Sequence, residues 1–189
     1  ADREVVNERT AGGYSLMDLA IASGNVGKVK ALFAAGVPMD DVNDRGMSPL
    51  HVAALSGKAM VEYILTKGYK PDIDSYGLFP LAYAIKNGNV ETFQALVHGG
   101  SDVMIVDAYG DDAFKTAIQA YQPFLVDKIG ATAPRVDTFN DVGRGALATA
   151  IVERPALLPQ VYNYNRHVNE ANPYTGQTPL HYAVKHDER

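Results

Sequence analysis

The sequence predicts an all-α solenoid of stacked helix–turn–helix units, and three observations carry that prediction. A glycine returns at a near-constant interval, at Gly13, Gly46, Gly77, Gly110, Gly143 and Gly176, spaced 33, 31, 33, 33 and 33 residues apart. Seven residues after each stands an alanine: Ala20, Ala53, Ala84, Ala117, Ala150 and Ala183. Between these marks apolar residues recur at helical spacing, as at Val26, Val29, Leu32 and Phe33, matched one for one by Val90, Phe93, Leu96 and Val97. Such a period marks an array in which each repeat buries its apolar face only against its neighbours.

Each element of the repeat has a local reason. Ser48-Pro49 and Thr178-Pro179 place a capping hydroxyl before a proline, which suits the N-cap and first position of a helix. A short run of small residues follows, as in "LHVAALSG" and "LAYAIKNG", closed by Gly24, Gly57 or Gly88. The second helix carries the matched apolar set, and Gly36, Gly68 and Gly100 close it. A polar stretch such as "DDVNDRG" or "PDIDSYG" then makes an extended loop. The short interval before Gly77 predicts one residue lost from the second helix and one from the loop.

Repeats four and five depart from this phrase. Asp112 and Ala113 stand at the Thr-Pro position, Gly145 stands at the Thr position of repeat five, and neither repeat has the glycine between helices. Pro123 and Pro155 are tolerable in the first turn of a second helix, and Pro159 is expected to shorten or bend one. Drift in a tolerant scaffold and reshaping for a partner are both open. "GQTPLHYAVKHDER" reads as the first helix of a partial sixth repeat, with Lys185, His186, Asp187, Glu188 and Arg189 giving it the polar face of a C-terminal cap; a longer array cut short is the alternative. Residues 1–12 are expected to be an N-terminal extension or capping segment, and residues 13–189 one repeat domain.

"SPLHVA" and "TPLHYA" within a period of 33 resemble the ankyrin repeat, over about residues 13–189 and most closely in repeats two, three and six. The resemblance implies an ankyrin-repeat solenoid whose loops project as hairpin fingers. It gives His51 and His181 a structural role, hydrogen-bonding the backbone of the neighbouring loop. It also implies a protein partner held along a concave side made of fingertips and first-helix ends. Carried over by position, the partner-binding set is Asp44, Arg45, Met47, Leu55, Ser75, Tyr76, Leu78, Lys86, Asn87, Tyr109, Asp111, Gln119, Val142 and Arg144, with Ser56, Ala108, Asp141, Val152 and Glu153 beside it. Tyrosine and arginine are the residue types that most often dominate interface energy, and Arg45, Tyr76, Tyr109 and Val142 share the position before the repeat glycine.

Chemistry of other kinds finds little support. A net charge of -5 and a pI near 5.5 argue against general affinity for nucleic acid or anionic membrane. No apolar run is long enough to span a membrane. The absence of cysteine removes disulfides, thiol nucleophiles and thiolate metal sites. No phosphate-binding glycine loop, nucleophile elbow or clustered metal-ligand spacing occurs, so no catalytic residue, metal or cofactor is expected. His98 suits a helix C-terminus, and His167 and His186 are isolated; Asp40-Asp41 falls in a loop.

The expected function is therefore a non-catalytic, monomeric binding module. Its role would be restraint of a partner enzyme, such as a bacterial cell-envelope hydrolase, in the manner of immunity and self-protection. Ala1 at the start fits either signal-peptide removal or a trimmed chain, and the former predicts export to the periplasm, with the cytoplasm as alternative. The competing functional readings are an intracellular adaptor, a fragment of a larger regulatory protein, or a hydrolase using Asp111, Asp112, Lys115, Glu153 and His167.

Overall fold

The computed structural model describes residues 9–39, 42–70, 72–132, 138–165 and 168–187. The expectations for residues 1–8, for the Asp40-Asp41 pair, for His167 and for Glu188 and Arg189 lie outside the described residues. The described residues are helical and loop, without strands. They form two compact bodies, residues 1–101 and residues 102–189.

In the first body three helix pairs follow one another: α1 (Leu16–Ala22) with α2 (Val26–Ala34), α3 (Pro49–Ser56) with α4 (Lys58–Leu65), and α5 (Pro80–Lys86) with α6 (Val90–His98). First helices stack on first helices, α1 on α3 and α3 on α5, while α4 packs on α6. Leu50, Met60, Ile64, Ile85 and Leu96 are fully enclosed between them. Each such side chain contributes about 1.5–3 kcal/mol by leaving water. This shared burial is what the repeated apolar positions serve.

The second body holds α7 (Ala113–Gln119) with α8 (Pro123–Thr132), α9 (Ala146–Glu153) with α10 (Leu158–Tyr164), and α11 (Pro179–Asp187). Here α7 and α11 pack on either side of α9, and α8 packs on α10. Phe114, Ile118, Leu125, Val126, Ile129 and Val161 form its core.

The short interval in repeat two shows in the turn between its helices as well as in the second helix. Asn25 and Asn89 cap α2 and α6, their side-chain oxygens accepting from the Lys28 and Thr92 N–H groups at 3.1 and 3.0 Å. Repeat two has no such asparagine: Gly57, at φ 120°, both ends α3 and starts α4. The helix is one residue shorter as well, eight residues in α4 against nine in α2 and α6, as expected.

In repeat four Tyr121 takes the turn position that Gly24 and Gly88 hold, and it adopts their left-handed conformation at φ 53°. Repeat five abandons that turn. Arg154 leaves the helical region at φ -144° and ψ 65°, a 3-10 turn runs over Pro155–Leu157, and Pro159 falls in the first turn of α10, where its missing N–H breaks no helix bond. At seven residues α10 is shorter than α2, α4, α6 and α8, in line with the expected shortening.

The sixth repeat differs from a polar cap. Lys185, His186 and Asp187 are exposed as expected, but so are Leu180 and Val184, one helical turn apart on α11.

Candidate functional site

The fingers take their shape from one side chain each. Three residues before the repeat glycine stands Asn43, Asp74, Asp107 or Asn140. The Asn43 oxygen accepts from the N–H groups of Arg45 and Met47 at 2.9 and 3.0 Å. Asp74 accepts in the same way from Tyr76 and Leu78, and Asp107 from Tyr109 and Asp111. The glycine closes the turn with positive φ, and at Gly46 an added Cβ would meet the Ser75 backbone nitrogen of the next finger at 2.7 Å.

Fingers are also tied to one another within each body. In the first, the Ser75 N–H donates to the Arg45 carbonyl at 2.8 Å. In the second, the Asp141 N–H donates to the Tyr109 carbonyl at 2.9 Å, and Asn172 Nδ2 donates to the Val142 carbonyl at 3.0 Å. The backbone before the glycine is thus held through both N–H and carbonyl at Arg45 and Tyr109, through the N–H at Tyr76 and through the carbonyl at Val142, while the side chain is left outward. Tyr76 is 52% exposed, Tyr109 53% and Val142 58%.

The carried-over set divides by direction. Asp44, Arg45, Leu55, Ser75, Tyr76, Lys86, Asn87, Tyr109 and Val142 are exposed, and Gln119 and Arg144 are half-buried. Met47, Leu78 and Asp111 are buried, at 2%, 7% and 8% exposure, so the surface role expected of them is corrected. They follow the glycine, where the returning chain runs inward to the helix. Asp111 accepts from Gln119 Nε2 at 2.9 Å and Asn140 Nδ2 at 3.1 Å, bracing finger to helix. Burial pushes its carboxyl above the ordinary range, against the lowering effect of those two bonds.

One set of exposed residues has no counterpart in the sequence expectation. Val42, Ile73 and Val106 each precede the turn-forming Asn or Asp, and all three are exposed. Their signal was legible as an apolar residue before that Asx in "DVND", "DIDS" and "IVDAY".

The histidines and the hydrolase residues have internal partners. His51 is fully buried; Nδ1 accepts from the Ser48 N–H at 3.1 Å, which assigns the proton to Nε2 for donation to the Leu78 carbonyl at 3.0 Å. Burial lowers its pKa, keeping the ring neutral. His181 repeats the near half of this arrangement, with Nδ1 accepting from the Thr178 N–H, but on an exposed ring with no following finger among the described residues. Asp112 caps α7, and its other oxygen meets Lys115 Nζ at 3.0 Å, both side chains fully buried. Lys115 also donates to the Thr138 carbonyl at 3.0 Å and to its hydroxyl, which in turn donates to Asp112. Glu153 pairs with Arg144 at 3.1 Å. Asp111, Asp112, Lys115 and Glu153 therefore serve three separate braces. Among the described residues no group of three or more acidic or histidine side chains could hold a metal, and no helix is long and apolar enough to cross a membrane.

Comparison with known proteins agrees with this geometry. Residues 16–107 match the family described as ankyrin repeats (3 copies). Ankyrin repeat protein nuc-2 of Neurospora crassa is 35% identical over 95 residues, 48% of this chain but 9% of that protein's length. A chain from the complex of the Bd0816 predatory endopeptidase of Bdellovibrio bacteriovorus with immunity protein Bd3460 aligns with TM-score 0.76 and 23% identity, covering 96% of this chain and 94% of the other. The ankyrin repeat domain of Bcl-3 aligns with TM-score 0.81 and 20% identity, over 93% and 82% of the two chains. That of human ASB11 gives 0.78 and 23%, over 94% and 80%.

Proposed function

Because this chain belongs to the ankyrin-repeat family, whose repeats mediate protein–protein interaction, we propose that it binds a folded protein partner through its fingertips and restrains that partner's enzymatic activity. The carrying observation is the fixed, outward presentation of Tyr76 on the first body and of Tyr109 and Val142 on the second. A side chain on a backbone already held loses little freedom when it is covered, so its buried area counts towards affinity. Arg45, Lys86, Arg144 and Glu153 supply polar contacts around these anchors.

Restraint of an enzyme, rather than assembly of several proteins, is favoured by likeness in fold to a chain from an endopeptidase–immunity protein complex, which matches this chain along nearly its whole length. Export, with the periplasm as the place of action, accompanies that reading. Covering an active surface needs no chemistry from the binder.

The test uses the partner captured on the immobilised chain. Tyr76→Ala and Tyr109→Ala are each expected to weaken binding about tenfold or more, with the melting temperature held within about 2 °C. The captured enzyme's hydrolysis rate should fall on adding the unaltered chain and recover with the variants. Lost stability with unchanged affinity would sink the fingertip site; binding without inhibition would leave an adaptor.

A further inference from the structure

Where α2 and α4 pack against each other in the first body, two lysines gather on aromatic rings. Lys67 Nζ lies 4.4 Å from the centre of the Phe33 ring and 5.2 Å from that of Tyr63. Lys30 Nζ lies 5.5 Å from the same Tyr63 ring. Lys30 and Lys67 are exposed, Phe33 is 44% exposed and Tyr63 is half-buried. An ammonium group over a ring is steadied by the ring's quadrupole but keeps its whole charge. Among the described residues neither lysine has a carboxylate partner, and Glu62, the one acid on these two helices, pairs with Lys58 at 3.8 Å.

Stacking does not call for this arrangement. Counted back from Gly36, Gly68 and Gly100, which close the second helices, Tyr63 stands where the neighbouring repeats have Ala31 and Ala95. Lys67 stands where they have Ala35 and Gly99, so the same helical turn forms there without ring or charge. Two ammonium groups on one ring repel each other, and the seam is poorer in energy alone than beside an anion. The chain carries a net charge of -5, which makes this seam a local cationic island on an acidic molecule. That net charge opposes approach to a broad anionic surface such as a bilayer or a nucleic acid, whereas an acidic stretch of a protein meets the island alone.

We propose that the seam between α2 and α4 docks an acidic segment of the protein partner, its carboxylates meeting Lys30 and Lys67 and an adjoining apolar side chain covering Phe33. The proposal rests on the reading of the chain as a protein-binding module, but on a surface of second helices separate from the fingertips. Exposed ion pairs are individually weak, so the ring-held position of the lysines matters: less side-chain freedom remains to be lost when each pair forms. The apolar cover over Phe33 keeps water from the pairs. The contact is electrostatic at its centre and weakens as salt screens it.

The probe is a fluorescein-labelled acidic peptide, GEELLEEG, into which the full chain is titrated up to about 1 mM at about 50 mM salt, read by fluorescence anisotropy. Saturable binding is expected, absent for GQQLLQQG and weakened about fivefold or more at about 300 mM salt. Lys30→Ala, Lys67→Ala and Phe33→Ala should each weaken it about threefold or more, and Lys67→Glu should abolish it and admit GKKLLKKG instead. Circular dichroism checks that these surface variants stay folded. Tyr76→Ala should leave peptide binding unchanged, so failure of the fingertip site and failure of the seam are read separately. No saturation by about 1 mM chain, or binding indifferent to both lysine variants, overturns the proposal. So does co-sedimentation of the chain with phosphatidylserine vesicles at about 150 mM salt that Lys67→Glu abolishes, which would assign the seam to a bilayer. Sedimentation equilibrium in which the chain alone dimerises and Lys67→Glu dissolves the dimer would assign it to a second copy, and overturns the proposal as well.

Discussion

At position 115 a lysine stands where repeat two has His51, and at 112 an aspartate stands where it has Ser48. Both pairs cap a first helix and reach the backbone of the following finger, His51 to Leu78 and Lys115 to Thr138. One does so as a neutral pair and the other as a buried ion pair, whose desolvation cost is recovered only while both partners remain. Lys115→Met, which leaves Asp112 charged and enclosed, should lower stability by about 3–5 kcal/mol in urea unfolding at pH 7. The double change Asp112→Ser with Lys115→His, which restores the repeat-two pair, should recover most of that loss. Tyr121 is a second residue at odds with its place. Its left-handed backbone costs about 1–2 kcal/mol for a residue with a Cβ, partly offset by the freedom a glycine would regain on unfolding. Tyr121→Gly should therefore raise stability by about 0.5–1 kcal/mol, seen as a higher urea midpoint with unchanged slope.

Among the elements, α8 shows which of two effects prevails at a helical glycine. Alanine at position 130 would gain about 1 kcal/mol in helix propensity. A Cβ there, however, would lie 2.5 Å from Tyr164 Cγ and 2.6 Å from Cδ2 on α10. That ring is 37% exposed and stands edge-on to Phe114, with centroids 6.5 Å apart, but the clash extends to Tyr164 Cβ at 3.0 Å, which ring rotation does not relieve. Overpacking costs about 1–3 kcal/mol, and Gly130→Ala should be net destabilising by about 1 kcal/mol or more in thermal melts. The elements also explain what the sequence did and did not reveal. The repeat glycines were legible because a turn at positive φ selects them, and the first helices because Ser48-Pro49 and its relatives start them. Tyr121 hid a turn, since a tyrosine is the wrong residue for that conformation. Met47, Leu78 and Asp111 were assigned to the surface by nearness to the tip, yet the chain reverses at the glycine. The residue before it faces out and the one after it leads in.

For the molecule as a whole, protection follows position in the stack. In the first body α3 lies between two neighbouring first helices, and Pro49 to Ala54 are all buried. In the second body α9 is similarly enclosed, whereas among the described residues the first-helix neighbour of α11 is α9 alone. Native-state hydrogen exchange should find the α3 and α9 amides slowest within their bodies, and those of α11 exchanging ahead of α9. Equal protection of α9 and α11 would mean that α11 is covered in solution. The solenoid class was readable from spacing alone, because one repeating phrase dictates one repeating contact. The fingertip site was only partly readable, because direction of exposure depends on the finger's local path and not on its composition.

The side-chain oxygens of Asn43, Asp74 and Asp107 have a consequence for how such a protein changes over generations. They hold the tip through backbone N–H groups, which every residue but proline carries, and ask nothing of the side chain before the glycine. Arg45, Tyr76 and Tyr109, charged and aromatic, all sit on that same scaffold. Mutation can rewrite what the fingers recognise while the grammar that folds them stays intact, so specificity and foldability drift on separate positions.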